Sequence, residues 1–272
     1  MAKPYPQVVL FGDSLFQGAT ETQDGFSLQG ALSAYGIRRF DIINRGLSGY
    51  NTSQALRVLP SVFPLPKASD DAYVPKIAYL VVLLGANDAA LPATVDNQHI
   101  PLAEYKANLK SIITHPNILA HKPEKIIVVT PPPVDSIRLA EYESLVSGQQ
   151  QPVSRLARVS AEYSKAAREV GESVPGVQVV DLHKSLTDLA VARTPGYDPK
   201  SGIPLGDKES KRGYLANLLT DGLHLSGEGY RVLWEELKPH LAPPSTDDES
   251  GGWAYPSWRL APLYNAAAAK EK

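Results

Sequence analysis

The run at residues 77–84, Ile-Ala-Tyr-Leu-Val-Val-Leu-Leu, is apolar from end to end. Such a run loses hydrophobic free energy if either face meets water, so it predicts a strand covered on both sides, the environment of a parallel sheet. Shorter runs rich in β-branched residues recur at 8–11, 40–43, 126–130 and 177–182. Between them, apolar residues return at helical spacing. Leu102, Tyr105, Leu109, Ile112 and Ile113 make one stripe. Leu156, Val159, Tyr163, Ala166, Ala167 and Val170 make another, with Arg155, Arg158, Glu162, Lys165 and Glu169 assigned to its solvated face. A last helix follows Ser226 as N-cap, carries Glu228 in its first turn, buries Tyr230, Leu233, Trp234, Leu237 and Leu241, and stops at Pro243 and Pro244. Strands alternating with helices predict an α/β single-domain, three-layer sandwich around a mainly five-stranded parallel sheet with right-handed crossovers.

Composition narrows the function classes. The chain has 272 residues, 43% of them hydrophobic, enough for one substantial core. With 27 basic and 29 acidic residues the formal net charge is -2, so nothing in the electrostatics favours nucleic acid or an anionic membrane surface as a partner. Cysteine is absent, which excludes disulfides, a thiolate nucleophile and a Cys-ligated metal. Residues 1–7 lack the long apolar core of a signal peptide and 77–84 is too short to span a bilayer, so a soluble, cytoplasmic protein without membrane insertion is expected.

In a parallel sheet of this kind, ligands bind at the carboxyl ends of the strands. Gly12-Asp13-Ser14 follows the first strand, Gly49 lies after the second, Asn87 follows the third, and Asp221-Gly222-Leu223-His224 precedes the last helix. Taken singly, each reads equally well as turn chemistry, since Gly, Asp, Asn and Ser all favour turns, and a lone His224 suits a structural role. Taken together they supply a nucleophile, an imidazole and a carboxylate three residues from that imidazole, the parts of a hydrolytic triad.

The series Gly12-Asp13-Ser14-Leu15, Ser48-Gly49-Tyr50-Asn51-Thr52, Gly85-Ala86-Asn87-Asp88 and Asp221-Gly222-Leu223-His224 resembles the sequence blocks of the SGNH (GDSL) hydrolase family. Within that family the chain looks like the isoamyl-acetate-hydrolysing esterase group. Arg45 to Thr52, Leu84 to Ala89, Gln98-His99-Ile100-Pro101, Thr130 to Asp135 and Leu219 to Ser226 carry that likeness. The resemblance implies a flavodoxin-like fold and a serine esterase acting on short-chain carboxylic esters, acetate esters such as isoamyl acetate among them. It implies Ser14 as nucleophile, His224 as general base and acid, and Asp221 as the group that orients the imidazole. It also implies an oxyanion hole made by the backbone N–H groups of Ser14 and Gly49 and the side-chain amide of Asn87. No cofactor and no metal are expected. Thioesters, lysophospholipids and acetylated sugars are alternative substrates for the same machinery. A more distant alternative is a metal-dependent phosphoesterase using Gly12-Asp13, Asn87-Asp88 and Asp181-Leu182-His183, whose order along the chain is wrong for that chemistry. A nucleotide-binding module lacks its phosphate loop after the first strand.

Three features depart from the group or extend beyond it. Phe16 stands where relatives carry a polar residue, and is read either as a wall of the acyl pocket or as a core aromatic. Residues 194–213, rich in Pro and Gly, are read either as a flap over the site or as a passive surface loop. The hydrolase domain is assigned to 1–243, and 244–272 is read as a tail. Its aromatics Trp253, Tyr255, Trp258 and Tyr264 dock on the domain itself or on the partner subunit of a homodimer.

Overall fold

The computed structural model describes residues 4–66, 76–92, 97–241, 253, 255 and 258. Strands β1 (Gln7–Gly12), β2 (Asp41–Gly46), β3 (Ile77–Leu83), β4 (Lys125–Val129) and β5 (Val177–Val180) form one five-stranded sheet in the order β2-β1-β3-β4-β5, parallel throughout. The helices are α1 (Ser14–Gln17), α2 (Leu28–Tyr35), α3 (Thr52–Val62), α4 (Leu102–Ile113), α5 (Pro116–Ala120), α6 (Ser136–Ser147), α7 (Ala157–Glu172), α8 (Leu182–Ala192), α9 (Leu215–Leu218) and α10 (Gly227–Leu237). The expected α/β sandwich is present.

Side chains alternate across a strand, so one continuous apolar run serves two cores. Val9, Phe11, Leu80, Val82, Ile126 and Val128 face α3, α4 and α7, where Leu59, Tyr105, Leu109 and Tyr163 meet them. Val8, Leu10, Tyr79, Val81, Leu83 and Ile127 face α2, α8 and α10, against Leu32, Leu186, Leu233 and Leu237. Among the described residues no helix is long and apolar enough to cross a membrane.

Element ends differ from expectation for identifiable reasons. β2 continues through the polar Asn44 and Arg45 because this edge strand turns Arg45 to water while the Asn44 amide finds hydrogen-bond partners. β5 stops at Val180 because the Asp181 carboxylate caps α8 by accepting from Lys184 N at 3.2 Å. α10 ends at Leu237 rather than running past Leu241, since Lys238–His240 is a tight turn containing Pro239, which has no N–H to continue the ladder. Arg155 is not on the solvated face of α7. It precedes the helix, whose N-cap is Leu156, and it is buried. The boundary at 243 lies outside the described residues, as does Tyr264. Trp253 and Tyr255 touch the chain itself, Arg38 lying 4.5 Å from the Trp253 ring centre and Tyr5 meeting Tyr255 edge-on at 5.7 Å.

The junction of β2 with α1 sets the shape of the site. A Cβ added at Gly46 would stand 2.1 Å from the Gln17 backbone nitrogen, so only a glycine lets β2 end directly against this short helix. Asn44 then bridges the two, donating from Nδ2 to Phe16 O at 2.6 Å and accepting from Gly46 N at 2.8 Å. Gly46→Ala is expected to push α1 off the strand and cost about 1 to 3 kcal/mol, the usual range for overpacking, read from the urea unfolding midpoint at unchanged slope.

Candidate active site

Parallel register aligns the strand exits. Gly12 at the end of β1 pairs with Gly46 of β2 on one side and with Leu83 of β3 on the other, so the loops after all three strands start at one rim. Ser14 opens α1, held there by Asp13, whose carboxylate accepts from Leu15 N at 2.9 Å.

From the other end of the chain, residues 221–224 form a tight turn around the Asp221 carboxylate. Oδ1 accepts from the backbone N–H groups of Leu223 (2.9 Å) and His224 (2.8 Å), which leaves Oδ2 for the His224 ring at 2.6 Å from Nδ1. The turn is pinned because Asp135 N donates to Gly222 O at 2.9 Å and Thr220 N to His224 O at 2.9 Å. Burial pushes the Asp221 carboxyl upward, yet the bonds from the His224 ring and the two backbone groups outweigh it and hold the acid down at about 2. An ionised acceptor at Nδ1 requires the proton on that nitrogen, so Nε2 carries the lone pair. Nε2 lies 2.9 Å from Ser14 Oγ. The Asp221 hydrogen bond, against the opposing effect of burial, raises the affinity of the ring for a second proton above the ordinary value of 6.5. This line of bonds can remove a proton from the serine hydroxyl and hold the resulting imidazolium.

The loop after β2 is a turn in which Tyr50 N donates to Leu47 O at 3.1 Å and Gly49, in its third position, has φ 81°. That is the backbone of a type II turn, which asks for glycine there. Asn51 then caps α3 with a reciprocal bond pair to Gln54. After β3, Asn87 donates from Nδ2 to Tyr50 O at 2.9 Å, tying the two loops together. The next residue, Asp88, is fully buried and accepts from the Thr52 backbone (3.0 Å) and hydroxyl (2.5 Å). Burial pushes the Asp88 carboxyl up to about 6 against these bonds, and burial likewise lifts Asp13 to about 7.

Sequence reasoning missed Arg155 and left Gln98 as a family marker. Arg155 donates from Nε to Ala86 O at 2.8 Å, and from Nη2 to Asn87 Oδ1 at 3.0 Å and Gln98 Oε1 at 2.8 Å. Gln98 in turn donates to Gly49 O at 2.9 Å. No local sequence signal marks Arg155, because its acceptors are supplied by residues 86, 87 and 98.

The other expectations divide. Phe16 is fully buried in the core beside Leu15, not in the cleft. The 194–213 segment is fastened to the body, with Leu205 buried and Ser136 N donating to Gly206 O at 2.8 Å. The cleft at Ser14, about 300 Å³, is lined instead by residues such as Gln17, Glu21, Gln23, Ser48 and Thr220. Asp181 is spent capping α8 and pairing with Arg168 at 2.5 Å. Among the described residues no cluster of His, Asp and Glu is arranged to hold a metal.

Residues 10–232 match the GDSL-like lipase/acylhydrolase family. A GDSL esterase/lipase of Arabidopsis thaliana is 34% identical over 240 residues, covering 86% of this chain and 85% of the relative. The isoamyl acetate-hydrolyzing esterase 1 homolog of Homo sapiens is 31% identical over 86% of this chain and 81% of its own length. The crystal structure of a lipase/acylhydrolase from Enterococcus faecalis superposes with a TM-score of 0.54 at 24% identity, over 89% of this chain and 100% of that one, a likeness of fold.

In an NMR titration, the His224 ring is expected to take up its proton with a pKa above 6.5, and Asp221→Asn to move it downward. The sign for stability is opposite at the two partners. His224, raised in the fold, contributes fully below its unfolded pKa and loses this as pH rises through the folded value. Asp221, lowered to about 2, contributes above the ordinary 3.8 and loses it as pH falls towards 2.

Proposed function

The chain belongs to the GDSL-like lipase/acylhydrolase family and is a carboxylic ester hydrolase, and on that premise we propose that it cleaves short-chain esters, acetate esters such as isoamyl acetate foremost, through an acyl-enzyme on Ser14. The observation that carries the reading is the unbroken line from Asp221 Oδ2 through the His224 ring to Ser14 Oγ, at 2.6 and 2.9 Å. Ser14 Oγ attacks the ester carbonyl carbon as His224 Nε2 takes its proton. The imidazolium is stabilised by Asp221, ionised at any working pH. The negative oxygen of the tetrahedral intermediate is received by the backbone N–H groups of Ser14 and Gly49 and by an Nδ2 hydrogen of Asn87. His224 then returns the proton to the departing alkoxide. A water molecule, deprotonated by the same ring, attacks the acyl carbon, and as the acyl–Oγ bond breaks the ring returns that proton to Ser14 Oγ and the acid is released.

Two features bear on the substrate. A cleft of about 300 Å³ lies at the small end of ligand sites, which suits a short acyl group and a medium alcohol. Its polar lining, Gln17, Glu21, Gln23 and Thr220, favours a second reading in which the alcohol portion carries hydroxyls, as in an acetylated sugar.

Ser14→Ala is expected to abolish turnover and labelling by a fluorophosphonate, with folding unchanged by circular dichroism. Substantial hydrolysis by that variant would remove Ser14 as nucleophile. In a panel of p-nitrophenyl esters of rising acyl length, run beside isoamyl acetate and an acetylated sugar, kcat/KM should be highest for acetate and fall with chain length. Preference for long acyl chains would contradict the assignment, and a preference for the acetylated sugar over isoamyl acetate would select the second reading.

A further inference from the structure

Arg155 lies beneath the rim, with only 7% of its side chain exposed, and binds neither Ser14 nor His224. Burying a guanidinium is costly, and the cost is met only when its donors find acceptors. Here the acceptors are specific. Nε bonds the carbonyl of Ala86, and Nη2 bonds Asn87 Oδ1 and Gln98 Oε1, while Nη1 sits 3.9 Å from Glu143.

The geometry points to Arg155 as the positioning residue of the oxyanion hole, a conclusion that rests on the esterase reading of Ser14, Gly49 and Asn87. An asparagine amide can face either way, and the two orientations exchange a donor for an acceptor. Guanidinium groups only donate. Arg155 therefore obliges Asn87 to turn Oδ1 inward, and this presents Nδ2 to the rim. One Nδ2 hydrogen goes to Tyr50 O, and the other is left for a substrate oxygen. A charged donor on Oδ1 also draws electron density through the amide and strengthens Nδ2–H as a donor. Through Gln98, which donates to Gly49 O while accepting from Arg155, the same cation anchors the turn that carries the Gly49 N–H. Two donors from different loops are thus set against each other by one buried charge. Asn87 bonded to a carboxylate or left unpaired could rotate, and the hole would lose its geometry.

The test is a double-mutant cycle with active enzyme counted by fluorophosphonate titration, so that a smaller folded fraction does not count as a slower one. Alone, Asn87→Ala is expected to lower kcat by about 10²- to 10³-fold, the loss of one oxyanion donor. Arg155→Gln alone should lower kcat by about 10- to 100-fold with KM little changed, since a displaced donor matters most in the transition state. Arg155→Lys, which keeps the charge but cannot span three acceptors, should fall between Arg155→Gln and the parent. In the Asn87→Ala background both Arg155 changes should lower kcat by clearly less than they do in the parent, because Arg155 has lost Asn87 and keeps only its path through Gln98 to the Gly49 turn. Multiplicative losses in the double variants, or an unchanged kcat in Arg155→Gln, would overturn the proposal. Should Arg155→Gln prove unfolded, the lysine variant carries the cycle alone. Failure of the parent enzyme to label at Ser14 would instead overturn the esterase reading, so the two failures are separable.

Discussion

Everything at the rim depends on the parallel register of β1, β2 and β3. Because Gly12, Gly46 and Leu83 lie level across the sheet, the chain leaves all three strands in the same direction and at the same height. Parallel pairing alone would leave room for error of several ångströms in the loops. The error is removed by contacts that tolerate no side chain, as where β2 ends against α1, and by side-chain amides that bridge loop to loop. Asn44 joins β2 to α1, Asn87 joins the exit of β3 to the turn after β2, and Gln98 closes onto that turn from a third direction. Amides suit this work because each offers a donor and an acceptor without adding charge.

Charge is nevertheless concentrated under the rim. Asp13, Asp88, Arg155 and Asp221 are all largely buried within a short stretch of the sheet's carboxyl edge. They are treated differently by their surroundings. Asp221 is given two backbone donors and an imidazole, and stays ionised. Asp13 has one backbone donor, and its Oδ2 meets no partner, so burial lifts it towards neutrality. In the proposed mechanism Asp221 balances a cation that appears and disappears on His224, whereas Asp13 caps a four-residue helix.

Much of the fold was legible because burial on two faces leaves a strong sequence trace. The 77–84 run reads as a covered strand and is one over Ile77–Leu83, and the stripes of α4 and α7 survive in the structure almost residue for residue. Strand and helix ends were less legible, since they turn on single groups: a polar edge that β2 extends through, a capping Asp181 that cuts β5 short, a Pro239 that stops α10. Ser14, His224 and Asp221 could be brought together in advance because each occupies a strand exit or a helix entrance, positions defined by pattern.

Arg155 was illegible for a physical reason. A periodicity argument assigns a residue to water when it is charged and falls opposite an apolar stripe, and this assumes that the helix has already begun. Two residues before the helix, direction is set by the loop, and the loop here turns the side chain inward to acceptors supplied by residues far away in sequence, at 86, 87 and 98. No local pattern encodes such a convergence. What the sequence does contain is the complement: an asparagine and a glutamine whose inward oxygens would be orphaned without a donor. Buried amides that must point one way call for a partner that cannot accept, and a guanidinium meets that condition at every titratable pH.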